Sequence, residues 1–363
     1  MRKSNGLLLW LLLVSTILLT PALQAEEAYW EYTFRPGDTI WKLAKTYTTS
    51  VNNWLAIQKL NQIDRGNDRQ IKPGERIKIP VSMLKYQPAP ATVIATSDKV
   101  SLVRADGSRH TLAAYNKLYS GDTIITGADQ FVSLRFADGS HMNILPGSEV
   151  SMDALSQYDQ TGMIDTQVRL KQGNIDTRAS KQAPGNRFEV ITPSAVTAVR
   201  GTRFRVTSDA SEVTRAEVVE GVVGVSAGES AQQVNAGYGV VAEKGKPVSP
   251  PVKLLDAPVA TFNDNKISWQ ALDGAKAYRY QLASDAGFNH ILQDKVLSGR
   301  SADLSALTPG DYHARLRGID AQQLQGLNTQ LAIAISPPPP PVEEPEADIW
   351  PLFIPPAIFL IGL

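Results

Sequence analysis

The feature that most constrains this chain is the alternation of apolar and polar residues between residues 92 and 246, cut every few residues by a glycine turn. Successive side chains of a strand point to opposite faces, so this alternation builds half-buried strands. Glycine supplies the positive φ that tight turns need. Candidate strands are Phe131–Phe136, Val168–Leu170, Arg187–Ile191, Thr202–Val206, Ala216–Val219 and Gly221–Val225, with Gly173, Gly185, Gly201, Gly221 and Gly237 as separators. Two segments echo each other: Leu102-Val103-Arg104-Ala105-Asp106-Gly107-Ser108 and Leu134-Arg135-Phe136-Ala137-Asp138-Gly139-Ser140. Each runs into Asp-Gly, a hairpin signal. The expectation is one elongated β structure with short turns. Gly-Asp-Thr-Ile also occurs twice, at Gly37–Ile40 and Gly121–Ile124, once before a helical pattern and once before a strand pattern.

A length of 363 residues makes room for two or three such cores. Lys+Arg and Asp+Glu are balanced at 36 each, which argues against nucleic acid as a partner, since phosphates call for a basic excess. No cysteine is present, so disulfides, Cys nucleophiles, Cys metal sites and N-terminal lipidation are out. His110, His141, His290 and His313 lie in unrelated segments, without metal-binding spacing. No cofactor and no metal are expected.

The first 25 residues read as a secretory signal peptide. Arg2 and Lys3 precede the apolar run Leu7–Leu19, Pro21 breaks it, and Leu23-Gln24-Ala25 ends on a small residue. The alternative is an uncleaved N-terminal anchor, for which the run is short. The mature chain is then periplasmic or otherwise in the cell envelope. Residues 82–91, with Pro88 and Pro90, read as a linker, and Pro247, Pro250 and Pro251 mark the next boundary. Residues 256–336 return to strand patterns. Residues 337–348 form a stiff Pro/Glu-rich segment, and 349–363 an apolar tail interrupted by Pro351, Pro355 and Pro356. That tail could touch a membrane or a partner, or mark truncation of a longer chain.

Residues 29–81 run in the order strand, helix, helix, strand. Tyr32-Thr33-Phe34 alternates, Pro36-Gly37 turns, and Asp38 or Thr39 can cap a helix carrying Ile40, Leu43, Ala44 and Tyr47. Ser50 or Asn52 can open a second helix with Val51, Trp54, Leu55 and Ile57. Lys72-Pro73-Gly74-Glu75 turns into the strand Arg76–Pro80. This order resembles the LysM domain, a peptidoglycan-binding module. The motifs that carry the likeness are Tyr32-x-Phe34-x-Pro36-Gly37-Asp38-Thr39-Ile40-Trp41-x-Leu43-Ala44, Leu60-Asn61, and Ile71-Lys72-Pro73-Gly74-Glu75-x-Ile77-x-Ile79-Pro80. The resemblance implies a groove for an N-acetylglucosamine-containing glycan between two loops. By position its residues are Gly37, Asp38, Thr39, Ile40 and Trp41, with Asn61, Gln62, Ile63, Ile71, Lys72 and Pro73. The second loop, residues 61–70, is longer and more charged than is usual for such modules and could reshape or cover the groove.

The β-rich region 92–246 resembles the FecR-like domain. The likeness rests on Gly121-Asp122-Thr123-Ile124-x-Thr126-Gly127, Val132-x-Leu134-x-Phe136-x-Asp138-Gly139-Ser140, Leu170-x-Gln172-Gly173, and above all Phe188-x-Val190-x-Thr192-Pro193-x-Ala195-Val196-x-Ala198-Val199-Arg200-Gly201-Thr202-x-Phe204-x-Val206, closed by Glu220-Gly221-x-Val223. Regulators of that family place a cytoplasmic anti-sigma segment and a membrane helix before this domain, where this chain has a signal peptide and a LysM-like module. Arg200-Gly201-Thr202 reads as a tight turn, or as a recognition loop. Residues 256–336 look like a fibronectin type III-like β-sandwich. Trp269 is its expected core anchor, and Tyr312, shortly after Pro309-Gly310, resembles a tyrosine corner.

The fold class expected is therefore multi-domain and mainly β, with a small βααβ module, a β-rich domain and a sandwich. LysM modules often target wall hydrolases, and Gly228-Glu229-Ser230 loosely resembles the catalytic Glu-Ser of lytic transglycosylases. It sits among turns and strands, whereas that family is helical, and no catalytic residue is expected. The expected role is a non-enzymatic envelope protein that binds peptidoglycan and presents its β modules to a protein partner. The alternative is a periplasmic sensor or regulator of FecR type, relaying a signal to a membrane partner; a peptidoglycan hydrolase ranks last.

Overall fold

The computed structural model describes residues 28–64, 71–181, 185–199 and 201–337. The N-terminal segment read as a signal peptide, residues 65–70 and 182–184, Arg200 and residues 338–363 with the apolar tail lie outside them. The protein is mainly β, with one small helical module.

That module pairs β1 (Tyr29–Thr33) antiparallel with β2 (Arg76–Pro80), Tyr32 standing opposite Ile77. Between them run α1 (Ile40–Tyr47) and α2 (Trp54–Leu60). Helix α1 turns Ile40, Leu43 and Ala44 inward, the three- and four-residue spacing of one helix face. They join Tyr32, Phe34, Ile57, Ile71, Ile77, Ile79 and Leu84 in one apolar core.

Strands between Gln87 and Lys253 form a closed circuit of hydrogen-bonded pairs around a single core. The Asp-Gly echo builds the same turn twice. Ser108 N donates to Asp106 Oδ1 at 2.8 Å and Ser140 N to Asp138 Oδ1 at 2.9 Å, with φ +83° at Gly107 and +82° at Gly139. Expected strand Val168–Leu170 is only the middle of a 16-residue strand, Met163–Arg178. Gly173 lies inside that strand, not between two strands. Up to Gln172 the strand pairs with Glu149–Tyr158, and over residues 165–169 also in parallel with Arg187–Ile191. From Gly173 onward it pairs with Arg203–Ser208, and over residues 175–178 with His141–Ile144. The glycine therefore marks the point where one strand crosses from one sheet to the other. Its φ is +103°, and a Cβ there would run into the Oγ and Cα of Ser148.

The hairpin formed by Glu149–Tyr158 and Met163–Arg178 reaches out of this domain with its tip. Met163, 1 % exposed, is part of the helical module's core, and Tyr158 packs on the same cluster. The stretch 82–91 is hydrogen-bonded at both ends. Lys85 Nζ donates to the carbonyls of Lys45 and Thr46 at the end of α1, at 2.7 and 3.0 Å, and Gln87–Pro88 pairs with Ser156–Gln157.

The C-terminal module is a sandwich of a three-stranded sheet (Ala260–Asn263, Lys266–Trp269, Ser301–Asp303) and a four-stranded sheet in the order Ile291–Leu297, Ala277–Ala283, Gly310–Ile319, Thr329–Ile335. Trp269 is buried edge-on to Tyr278 at 5.6 Å, and Tyr312 donates from its hydroxyl to the Thr308 carbonyl at 2.9 Å. Residues 277–282 alternate between apolar and polar, yet both faces are dry, and every residue from Tyr278 to Ala283 is buried. Tyr278, Tyr280 and Leu282 fill the sandwich core. Arg279 and Gln281, with Arg315 and Arg317 beside them on the next strand, belong to a buried polar layer shared with the FecR-like region.

In that layer Arg315 Nη2 lies 2.9 Å from Asp176 Oδ2, although the pair lacks hydrogen-bond alignment. Arg205 Nη2 donates to the carbonyls of Gln325 and Gly326 at 2.6 and 2.8 Å. Gln325 N donates to Glu217 Oε1 at 3.0 Å, and Arg279 spans Asp294 and Asn174. Burial lowers Arg205 and raises Glu217, while their mutual attraction opposes both shifts. Burial also pushes Asp176 up, but Arg315, Arg203, Arg317 and Arg205 outweigh it and hold its carboxyl at about 2. Beside these charges Leu145, Ala283, Phe288 and Ile291 form an apolar patch.

Gly173→Ala is expected to destabilise the protein by at least ~2 kcal/mol, because positive φ and backbone collision add. Gly107→Ala, where the space around the Cβ is open, should cost only the ~1 kcal/mol of the φ itself. Urea unfolding of the two variants checks the contrast. Asp176 has a folded-state pKa below its unfolded value, so its stabilisation is present above pH 4 and lost between about pH 4 and 2. Asp176→Asn should flatten that acid limb, worth about 2 kcal/mol, and at pH 7 should weaken the fold by about 3–5 kcal/mol, because it strands buried guanidinium groups. Unfolding midpoints at pH 7 and pH 3 give both quantities.

Candidate functional site

The loop between β1 and α1 is held from inside. Asp38 Oδ2 accepts from the Tyr32 hydroxyl at 2.7 Å and from Arg35 N at 2.8 Å. Burial, then the Asp38 carboxylate, push the Tyr32 phenol well above its usual range. With Asp38 so engaged, Thr39 caps α1, its Oγ1 accepting from Lys42 N at 3.1 Å. Gly37 has φ +84°, and its carbonyl accepts from Lys42 Nζ at 2.9 Å. The second Gly-Asp-Thr-Ile builds the same turn: Asp122 Oδ2 accepts from Tyr119 N at 2.8 Å, and Gly121 has φ +90°. The tetrapeptide thus encodes a turn, and the residues after it decide between helix and strand.

The eleven residues read from sequence for this groove separate into two sets. Ile40 and Ile71 are buried in the core. Asn61 is structural: Nδ2 donates to the Ile57 and Lys78 carbonyls, both at 2.8 Å, and Oδ1 accepts from Lys78 N at 2.8 Å. It fastens the end of α2 to β2. Asp38 and Thr39 hold the first loop and cap. Gly37, Trp41, Gln62, Lys72 and Pro73 are exposed, and Ile63 is half-buried. Trp41, 47 % exposed, carries the largest apolar surface of this set, and the Lys45 ammonium sits 5.2 Å from its ring centre. Trp30, Tyr32 and Tyr47 form a separate ring cluster with centroids 4.9–5.6 Å apart, and Trp30 and Tyr47 are only partly buried. Sequence reading placed none of these three in the candidate site.

Residues 32–80 match the family model described as LysM domain, and residues 122–224 the one described as FecR protein. The chain carries a LysM domain and a FecR domain. Both domains point to an envelope or periplasmic protein. Among solved structures, a Parabacteroides distasonis ATCC 8503 protein described as an anti-sigma factor candidate aligns at 17% identity and TM-score 0.31, covering 36% of this chain and 59% of that one. The extracellular domain of a candidate hybrid two-component system from B. thetaiotaomicron aligns at 9% identity and TM-score 0.16, covering 70% and 60%. The chain thus spans about three fifths of each of these structures. No curated protein matches it.

Within the FecR domain, Gly201 has φ +70° and a Cβ there would press on Lys181, which accords with a tight turn. Glu229 is exposed at the turn between Val222–Ala227 and Ser230–Asn235. Among the described residues, the groove it lines with Ser194, Ser230, Lys244 and Lys246 contains no second carboxylate, whereas glycosidase chemistry commonly pairs two.

Tyr32→Phe removes one of two donors to Asp38 Oδ2 from a half-buried site and should cost about 1–2 kcal/mol of stability. Trp41→Ala, on an exposed position, should change stability by less than about 0.5 kcal/mol. Tryptophan fluorescence during denaturant unfolding distinguishes the two for Tyr32→Phe, and circular dichroism does so for Trp41→Ala.

Proposed function

We propose that the protein is exported by its N-terminal segment, binds peptidoglycan through the LysM domain, and is not an enzyme. Its FecR domain and sandwich offer surfaces to an envelope protein partner. The carrying observation is the LysM match together with Trp41, whose exposed indole flanks the first loop and can lie against a sugar face. Gly37, Gln62, Lys72 and Pro73 supply exposed edges on the two loops, with Ile63 half-buried beside them, while Asp38, Thr39 and Asn61 keep the loops in place. The sandwich, with its likeness to fibronectin type III, suits a spacer or docking role rather than chemistry.

A second reading, an envelope regulator of FecR type, is favoured by the hairpin Glu149–Arg178. Met163 sits in the LysM core while Asp176 sits in the layer beneath the sandwich. A pull on bound glycan therefore has a route through the packed Met163 side chain, along one strand, to the Asp176–Arg315 ion pair under the sandwich. This reading calls for a specific membrane partner that cross-links even when glycan binding is abolished.

Co-sedimentation with purified sacculi tests the main reading. The protein should pellet with sacculi, and Trp41→Ala should release it several-fold more readily at unchanged stability. Equal retention of the variant, or no sedimentation of the wild type, would sink the assignment of the groove.

A further inference from the structure

At the edge of the buried charge layer lies a cavity of about 150 Å³ between the FecR domain and the sandwich. One wall comes from three neighbouring strands. His141 stands opposite Arg178, and Arg178 opposite Arg203, so three basic residues lie side by side along one row. Arg315, 2 % exposed, forms the facing wall from the sandwich. Like charges at opposed positions of a sheet destabilise it. Arg178 and Arg203 have no ion-pair partner within 4 Å among the described residues. Asp176 is the sole carboxylate lining the cavity among the described residues, and it is already drawn to Arg315 at 2.9 Å. The arginines exceed it by a formal charge of two.

The remaining wall is built rather than incidental. Asp285 gathers the amides of Gly287, Asn289 and His290 at 2.7–3.1 Å, which shapes the turn that presents Asn289 to the cavity. Burial pushes that carboxyl up, and the gathered amides bring it below its usual range. Asn143 Nδ2 clamps the same turn across the seam by donating to the Phe288 carbonyl at 2.9 Å. Phe288 in turn lies 4.4 Å beneath the Arg315 guanidinium and fixes its direction.

We propose that this cavity is a binding site for a phosphate dianion, either free or at the end of a small ester. Arginines line it from two adjacent strands and from the facing module, an arrangement suited to an oxyanion with oxygens in several directions. The cavity has room for a phosphate together with ordered water. Its ligands come from two modules, so occupancy ties anion binding to the docking of the sandwich on the FecR domain. The site is independent of the glycan groove.

Isothermal titration of the full chain with inorganic phosphate, glycerol 3-phosphate and acetate at matched ionic strength tests the proposal. One saturable site is expected for phosphate, with glycerol 3-phosphate competing for it. Their relative affinity separates a free ion from an ester as the natural source. Arg178→Gln, on an exposed position, should weaken phosphate about ten-fold while leaving the phosphate-free unfolding midpoint no lower, since it relieves the repulsion with Arg203, and Arg178→Gln with Arg203→Gln about a hundred-fold. The proposal is overturned if phosphate gives no saturable signal, if acetate saturates where phosphate does not, or if both variants bind like the wild type.

Discussion

Everything in this molecule hangs on one continuous strand, Met163–Arg178. Its first half completes one sheet of the FecR domain and its second half the other, and Gly173 makes the crossing with a backbone conformation closed to most residues. At one end Met163 is buried in the LysM core, and near the other Asp176 is buried under the sandwich. A strand held by hydrogen bonds on both edges resists bending, so these contacts give the three modules a defined mutual placement.

The charge layer is what makes the C-terminal half unusual. Arg205, Arg279, Arg315 and Arg317 face Asp176, Glu217 and Asp294 with almost no access to water. Desolvating seven charges is costly, and an apolar seam of the same shape could be equally stable or more so. A shifted register would strand a guanidinium or a carboxylate in a dry interior, so the layer penalises mispaired arrangements of the two modules. Main-chain carbonyls of Gln325 and Gly326 complete the Arg205 contacts, so the loop after Ile319 is fixed along with the sheet. The basic cavity lies at this layer's rim, where the excess positive charge meets solvent.

In the LysM domain, the fold and the proposed glycan site draw on one short loop. Tyr32 and Asp38 fix the turn, Thr39 starts the helix, and Trp41 comes next on the exposed face. Asn61 does the same for the second loop by bonding three main-chain groups. Several residues assigned to the groove by family position thus act as a frame for the two loops, and the exposed residues between them are the ones the proposed site would use.

Local pattern determined the elements. Spacing of Ile40, Leu43 and Ala44 specified α1, Asp-Gly at residues 106–107 and 138–139 specified matching turns, and motifs specified the LysM and FecR domains. These signals survive in sequence because each depends on φ, on caps or on periodicity within a few residues. The length of Met163–Arg178 was not legible, since its polar residues and Gly173 look like interruptions until partner strands on both sides supply hydrogen bonds. Nor was the burial of Arg205, Glu217, Arg279 and Arg317, because alternation says only that two faces differ. Whether the polar face meets water or a second polar face depends on which module folds back over it. Tertiary structure alone decided that, and with it the cavity among Arg178, Arg203 and Arg315, whose residues lie up to 137 positions apart in the sequence.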